Sequence, residues 1–130
     1  MGVGAKFGLP REERLRGVST VSRLFGEGES VYFFPLRIVF SRKSADDESC
    51  QEPTSVLFSV PKKLHKRANK RNLLRRRVKE AYRLQKSLLG IHQQGLNIAI
   101  IYSTKELLSY DKIARAIERT LPQIVAHHEA

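Results

Sequence analysis

The spacing of apolar positions changes along this 130-residue chain, and each spacing predicts a different element. Over residues 11–26, Val18, Val21 and Phe25 recur at three- and four-residue intervals, one stripe of a helix, which Gly26 and Gly28 end. Residues 31–40, VYFFPLRIVF, alternate instead. Tyr32, Phe34, Leu36, Ile38 and Phe40 share one strand face, which reads as buried. Val31, Phe33, Pro35, Arg37 and Val39 share the other, which reads as partly open. Pro35 has no N–H to give a sheet, so it argues for an edge strand.

The polar run 41–53 holds four of the thirteen acids and predicts a loop. Residues 55–60 predict a strand with Val56, Phe58 and Val60 inward. LNIAIIY, 96–102, is apolar on both faces and predicts an interior strand, after a turn from Gly90 to Gly95. Ser109 is placed to cap a last helix with Asp111 in its first turn. Ile113, Ile117 and Leu121 form that helix's stripe, and Pro122 marks a kink or its last turn. The order α-β-β-α-β-α predicts one α+β domain over residues 1–130 with a helical crossover to the third strand. Taken alone, that crossover defaults to right-handed.

Residues 69–89 read as a helix with two unlike faces. Leu74, Val78, Ala81, Tyr82, Leu88 and Leu89 gather on an arc of about 120°, the width of a core-facing stripe. Asn72, Arg75, Arg76, Lys79, Arg83 and Lys86 gather opposite. Charge sharpens the picture. The chain is +11 overall, with 24 basic and 13 acidic residues, and residues 62–86 alone hold twelve Lys/Arg against one acid, Glu80. The remaining charges cancel, so the basic character is local, the footprint of a polyanion site. A merely solvated helix face mixes signs. Here Arg75–Lys79 and Lys79–Arg83 repel at i,i+4, and phosphate neutralisation is the simplest compensation. From Arg71 to Arg83, Arg outnumbers Lys five to one, which suits bidentate phosphate contacts. Asn72, a neutral amide among cations, fits a sugar or base edge, or a helix cap.

Other classes fit less well. No apolar run approaches the ~20 residues of a membrane span, and the helix's apolar face is needed for the core, so no membrane partner is expected. The start MGVGAKFGLPREERLRG lacks a signal peptide's apolar stretch, and the single Cys50 permits no internal disulfide; a reducing cytoplasm is expected. His65, His92, His127 and His128 stand at no ligand or triad spacing, and His65, in the basic turn, reads as an RNA contact rather than a base. No carboxylate cluster suits a two-metal nuclease. A DNA reader would want a short base-reading helix and usually a dimer interface. Composition leaves open a ribosomal or structural-RNA binding protein.

The strand end SVPKK (59–63) runs into Arg71-Asn72, then Arg75-Arg76, then Lys79-Glu80-Ala81-Tyr82-Arg83. This resembles the signature of the bacterial ribonuclease P protein component, an Arg-Asn-Arg core followed by Lys-Arg and an aromatic-Arg ending. LPREERLRG, FGEGESV, the element order and the length agree, so the resemblance covers most of the chain. Leu73 stands at the third position of the core, and His65-Lys66-Arg67 stands where a glycine is common. The resemblance implies a left-handed β-α-β crossover, against the default. It implies a monomeric protein that joins a catalytic RNA and assists removal of the 5′ leader from precursor tRNA, as subunit of an endoribonuclease whose chemistry the RNA carries. No cofactor is expected on the protein, and Mg²⁺ is expected with the RNA. Lys62, Lys63, Lys66, Arg67, Lys70, Arg71, Asn72, Arg75, Arg76, Lys79 and Arg83 would bind RNA. Val21, Phe25, Phe33, Arg37 and Val39 would line a cleft for the single-stranded leader, with Lys62 and Lys63 beside it.

Overall fold

The computed structural model describes residues 18–42 and 53–129. Within them Pro35 divides the first alternating run instead of lying in a strand. The chain reverses at Phe34–Pro35, so a hairpin of β1 (Glu29–Phe33) and β2 (Leu36–Arg42) replaces the single predicted strand. Phe33 pairs with Leu36 and Val31 with Ile38, which puts odd positions of β1 on the same face as even positions of β2.

The preceding helix, α1, spans Val18–Glu27; residues 11–17 of the predicted helix lie outside the described residues, as does 43–52 of the predicted loop. After β3 (Ser55–Ser59) come α2 (Ala68–Gln85), a 3₁₀ segment (Lys86–Gln93), β4 (Leu96–Tyr102) and α3 (Tyr110–Glu129). The sheet order is β1-β2-β4-β3, antiparallel except for the parallel neighbours β3 and β4 that α2 connects. β4 is interior, as its two apolar faces require. Helix α3 runs through Pro122 to Glu129, so the proline marks neither its end nor its last turn.

One sheet face carries the main core. Leu36, Ile38, Phe40, Val56, Ile98 and Ile100 pack against Leu74, Val78, Ala81 and Tyr82 of α2 and Ile113, Ile117 and Leu121 of α3. Leu89 joins them, whereas Leu88 is exposed: the α-helix ends at Gln85, and Gly90 turns the chain with φ 58°, a conformation that favours glycine. The other face is covered by α1, whose Leu24 is buried on Val39 and Ala99. The exit from α1 is tight. Gly28 donates its N–H to the Leu24 carbonyl at 2.7 Å, and a Cβ there would stand 2.8 Å from Val39 Cγ1.

Parallel β3 and β4 release the chain at the same end of the sheet, where Ser59 lies opposite Ile101. The β1–β2 turn reaches that end too: Leu36 pairs with Tyr102, and the Ser103 N–H donates to the Pro35 carbonyl at 2.8 Å. Lys62 and Lys63, the β4–α3 loop and the hairpin tip therefore converge there.

Candidate nucleic-acid interface

Helix α2 presents its polar face because four of its residues are fixed in the core. Asn72, Arg75 and Arg76 are exposed; Lys79 and Arg83 are half-buried along the flanks. Lys62, Lys63, Lys66, Arg67 and Lys70 are exposed on the strand end and the first turn. The cations are not equivalent. Arg75 donates to Asn72 Oδ1 at 3.1 Å, which aligns the two on one surface. Arg83 is paired with Glu80, its Nε–H donating to Oε2 at 3.3 Å. Arg71 turns inward: its Nη1 donates to the carbonyls of His65 and Lys66 at 3.0 and 2.9 Å, bracing the turn before α2. Arg71 is among the residues expected to bind RNA, and this nitrogen of it is committed within the protein. Arg77, outside the predicted set, donates to the Leu108 carbonyl at 2.5 Å and ties α2 to the β4–α3 loop.

His65 is not the surface contact its place in the basic turn suggested. It is buried, its Nε2–H donates to the Thr104 carbonyl at 2.7 Å, and its ring meets Tyr102 edge-on at 5.5 Å. Tyr102 in turn donates its hydroxyl to the Glu106 carbonyl and accepts the Leu108 N–H. Burial pushes the Tyr102 phenol above its ordinary value, against the lowering effect of the Leu108 N–H and the Arg77 charge, so the hydroxyl keeps its proton and the loop its anchor.

On the other sheet face the predicted cleft is redrawn. Val39 is 3% exposed, closed over by α1, and Val21 packs at the same contact. Phe33 lies on the α2/α3 face, against the main core, because the hairpin reverses the alternation. Arg37 and Phe25 remain exposed, and Tyr32, which sequence alternation assigned to the interior, takes Phe33's place. It is 56% exposed and directly opposite Arg37. Phe34 is exposed at the hairpin tip. The signal for both aromatics was the proline in mid-run, which permits a reversal as readily as an edge strand. An exposed tyrosine beside an arginine offers a stacking surface and a cation to an unpaired nucleotide.

Two unlike surfaces thus occupy opposite sides of the sheet: a cationic helix beyond the main core, and an aromatic–cationic strip beside α1. A family model described as Ribonuclease P matches residues 9–125. The ribonuclease P protein component of Porphyromonas gingivalis is 37% identical over 127 residues, covering 95% of this chain and 90% of the relative. That of Chlorobaculum tepidum is 43% identical over 81 residues, 62% of this chain and 53% of the relative. Among solved structures, the RNase P protein of Staphylococcus aureus superposes with TM-score 0.69 at 20% identity, over 86% of this chain and 94% of that one. The Thermotoga maritima protein gives 0.68 at 22%, over 85% and 96%. The two structures share the fold.

Proposed function

This chain belongs to the ribonuclease P protein family, and from that premise we propose how its two surfaces divide the work of a ribonuclease P subunit. The cationic face of α2, with Lys62 and Lys63, binds the catalytic RNA. The strip of Tyr32, Arg37 and Phe25 beside α1 holds the 5′ leader of precursor tRNA. The RNA subunit, with its Mg²⁺, supplies the cleavage chemistry; the protein screens phosphate repulsion and fixes where the leader lies.

The observation that carries this reading is the separation of the surfaces. Twelve cations and one acid lie in residues 62–86, and the α2 side chains that face away from the core are mainly polar, with Asn72, Arg75 and Arg76 exposed together; Leu84 is an exposed exception near the helix end. Such a face neutralises a folded RNA's backbone without reading its sequence. Across the sheet, Tyr32 and Arg37 form a small platform suited to a single strand of variable sequence. Two ligands of different shape can thus be held at once without competing for one surface.

Tyr32→Ala tests the leader half. Stacking on an aromatic contributes about 1–3 kcal/mol per base, so the variant, assembled with a bacterial ribonuclease P RNA, is expected to bind precursor tRNA about tenfold more weakly. Binding of mature tRNA, which lacks the leader, is expected to stay unchanged. Fluorescence titration of the two tRNAs measures both; equal losses for both, or none for either, would contradict the assignment.

A further inference from the structure

Resting on that reading and extending it, we propose that the cavity between the start of α2 and the β4–α3 loop is a single-nucleotide pocket for the RNA partner, with Lys105 and Leu107 as contacts of its own. The cavity measures about 320 Å³ and is lined by Leu64, Lys66, Arg67, Lys70, Lys105 and Leu107, with His65 beneath. That lies at the low end of the roughly 300–1,000 Å³ typical of small-ligand sites, which suits one nucleotide and not a duplex.

Its lining is divided in the way a nucleotide is. Four cations, Lys66, Arg67, Lys70 and Lys105, stand on the rim, all exposed, and among the described residues no ion pair reaches any of them. Four like charges drawn together without an acid repel one another, and a phosphate between them removes that cost. Leu107 is 44% exposed and Leu64 half-buried, so an apolar surface faces the same space. A base or sugar laid on them would cover it. The start of α2 is on the same rim, and its N-cap, Arg67, gives the leading N–H groups no side-chain acceptor, which an anion complements.

The fold holds Lys105 in place although it lies 35 residues beyond Lys70 in the chain. His65 grips the carbonyl of its neighbour Thr104, Arg77 grips that of Leu108, and the Tyr102 hydroxyl bridges Glu106 and Leu108. The loop is therefore fixed at three points to β4, α2 and the turn before α2. His65 and Arg77 act as positioning residues for a cation that the sequence pattern gave no reason to associate with α2.

Lysine acylation read by mass spectrometry tests the pocket, on the full chain free and bound to a bacterial ribonuclease P RNA transcript. Lys66, Lys70 and Lys105 are expected to react at least about fivefold more slowly in the complex, the protection vanishing at high salt. Lys105→Ala is expected to weaken RNA binding about fivefold at physiological salt and to lower the slope of log K against log salt by about one. Leu107→Ala is expected to weaken binding with the slope unchanged. Protection of Lys66, Lys70 and Lys79 with Lys105 reacting as in the free protein, or an unchanged slope for Lys105→Ala, would overturn the pocket while leaving the α2 interface standing. If Lys79 also reacts as in the free protein, the α2 interface fails with it.

Discussion

Replacing Arg75, Arg76 and Lys79 together with alanine is expected to weaken binding to a ribonuclease P RNA about a hundredfold at ~0.15 M salt, and to lower the salt slope by roughly three. Each phosphate contact contributes a slope of about 0.9 on duplex nucleic acid, which at that salt is about a fivefold change in affinity per contact. Folding should be untouched. Arg75 and Arg76 are exposed and Lys79 is half-buried on a flank. Among the described residues, the side-chain bond these three make is that from Arg75 to Asn72, at the surface. The triple variant also removes like-charge pairs at i,i+3 and i,i+4, so its melting temperature should hold or rise slightly. Titrations at several salt concentrations, beside a thermal melt, decide it. Full-strength binding with an unchanged slope would mean that this face does not meet phosphates.

Tyr82→Ala, on the opposite side of the same helix, is expected to do the reverse. Tyr82 is 1% exposed and meets Phe58 edge-on, ring centroids 5.8 Å apart, where α2 packs on the sheet. Truncating a buried aromatic to alanine costs about 3–5 kcal/mol, through lost burial and the cavity left behind. Against a typical stability of roughly 5–15 kcal/mol, that lowers the melting temperature by about 10 °C or more. Below its melt the variant should bind RNA with an unchanged salt slope. Chemical denaturation measures the cost; a loss under about 1 kcal/mol would show that α2 is not anchored through this side chain.

That one helix carries both a core face and a cationic face was legible from residue spacing alone, because burial and charge each follow the 3.6-residue period. The interior place of β4 was legible too, since only a strand covered on both faces is apolar on both. The hairpin was not. Alternation tells which residues share a face only while the strand continues, and a two-residue reversal exchanges the parity without interrupting the apolar run. Alternation consequently puts Tyr32 and Phe33 on each other's sides. Arg71 and Arg77 show a second limit: an arginine that braces carbonyls and one that faces solvent are the same letter, and only the fold distinguishes them, through the turn before α2 for Arg71 and the β4–α3 loop for Arg77. His65 is similar, a basic-turn residue in sequence and a buried clamp in the fold. Lys105 depends wholly on tertiary placement, since nothing near it in the sequence is basic.

Whether this chain assists an RNA catalyst is decided by cleavage of precursor tRNA at low Mg²⁺ with the protein alone, with a bacterial ribonuclease P RNA alone, and with both. Removal of the 5′ leader that is strongly stimulated only in the mixture is the result expected. Cleavage by the protein alone, or tight RNA binding with no stimulation, would contradict it.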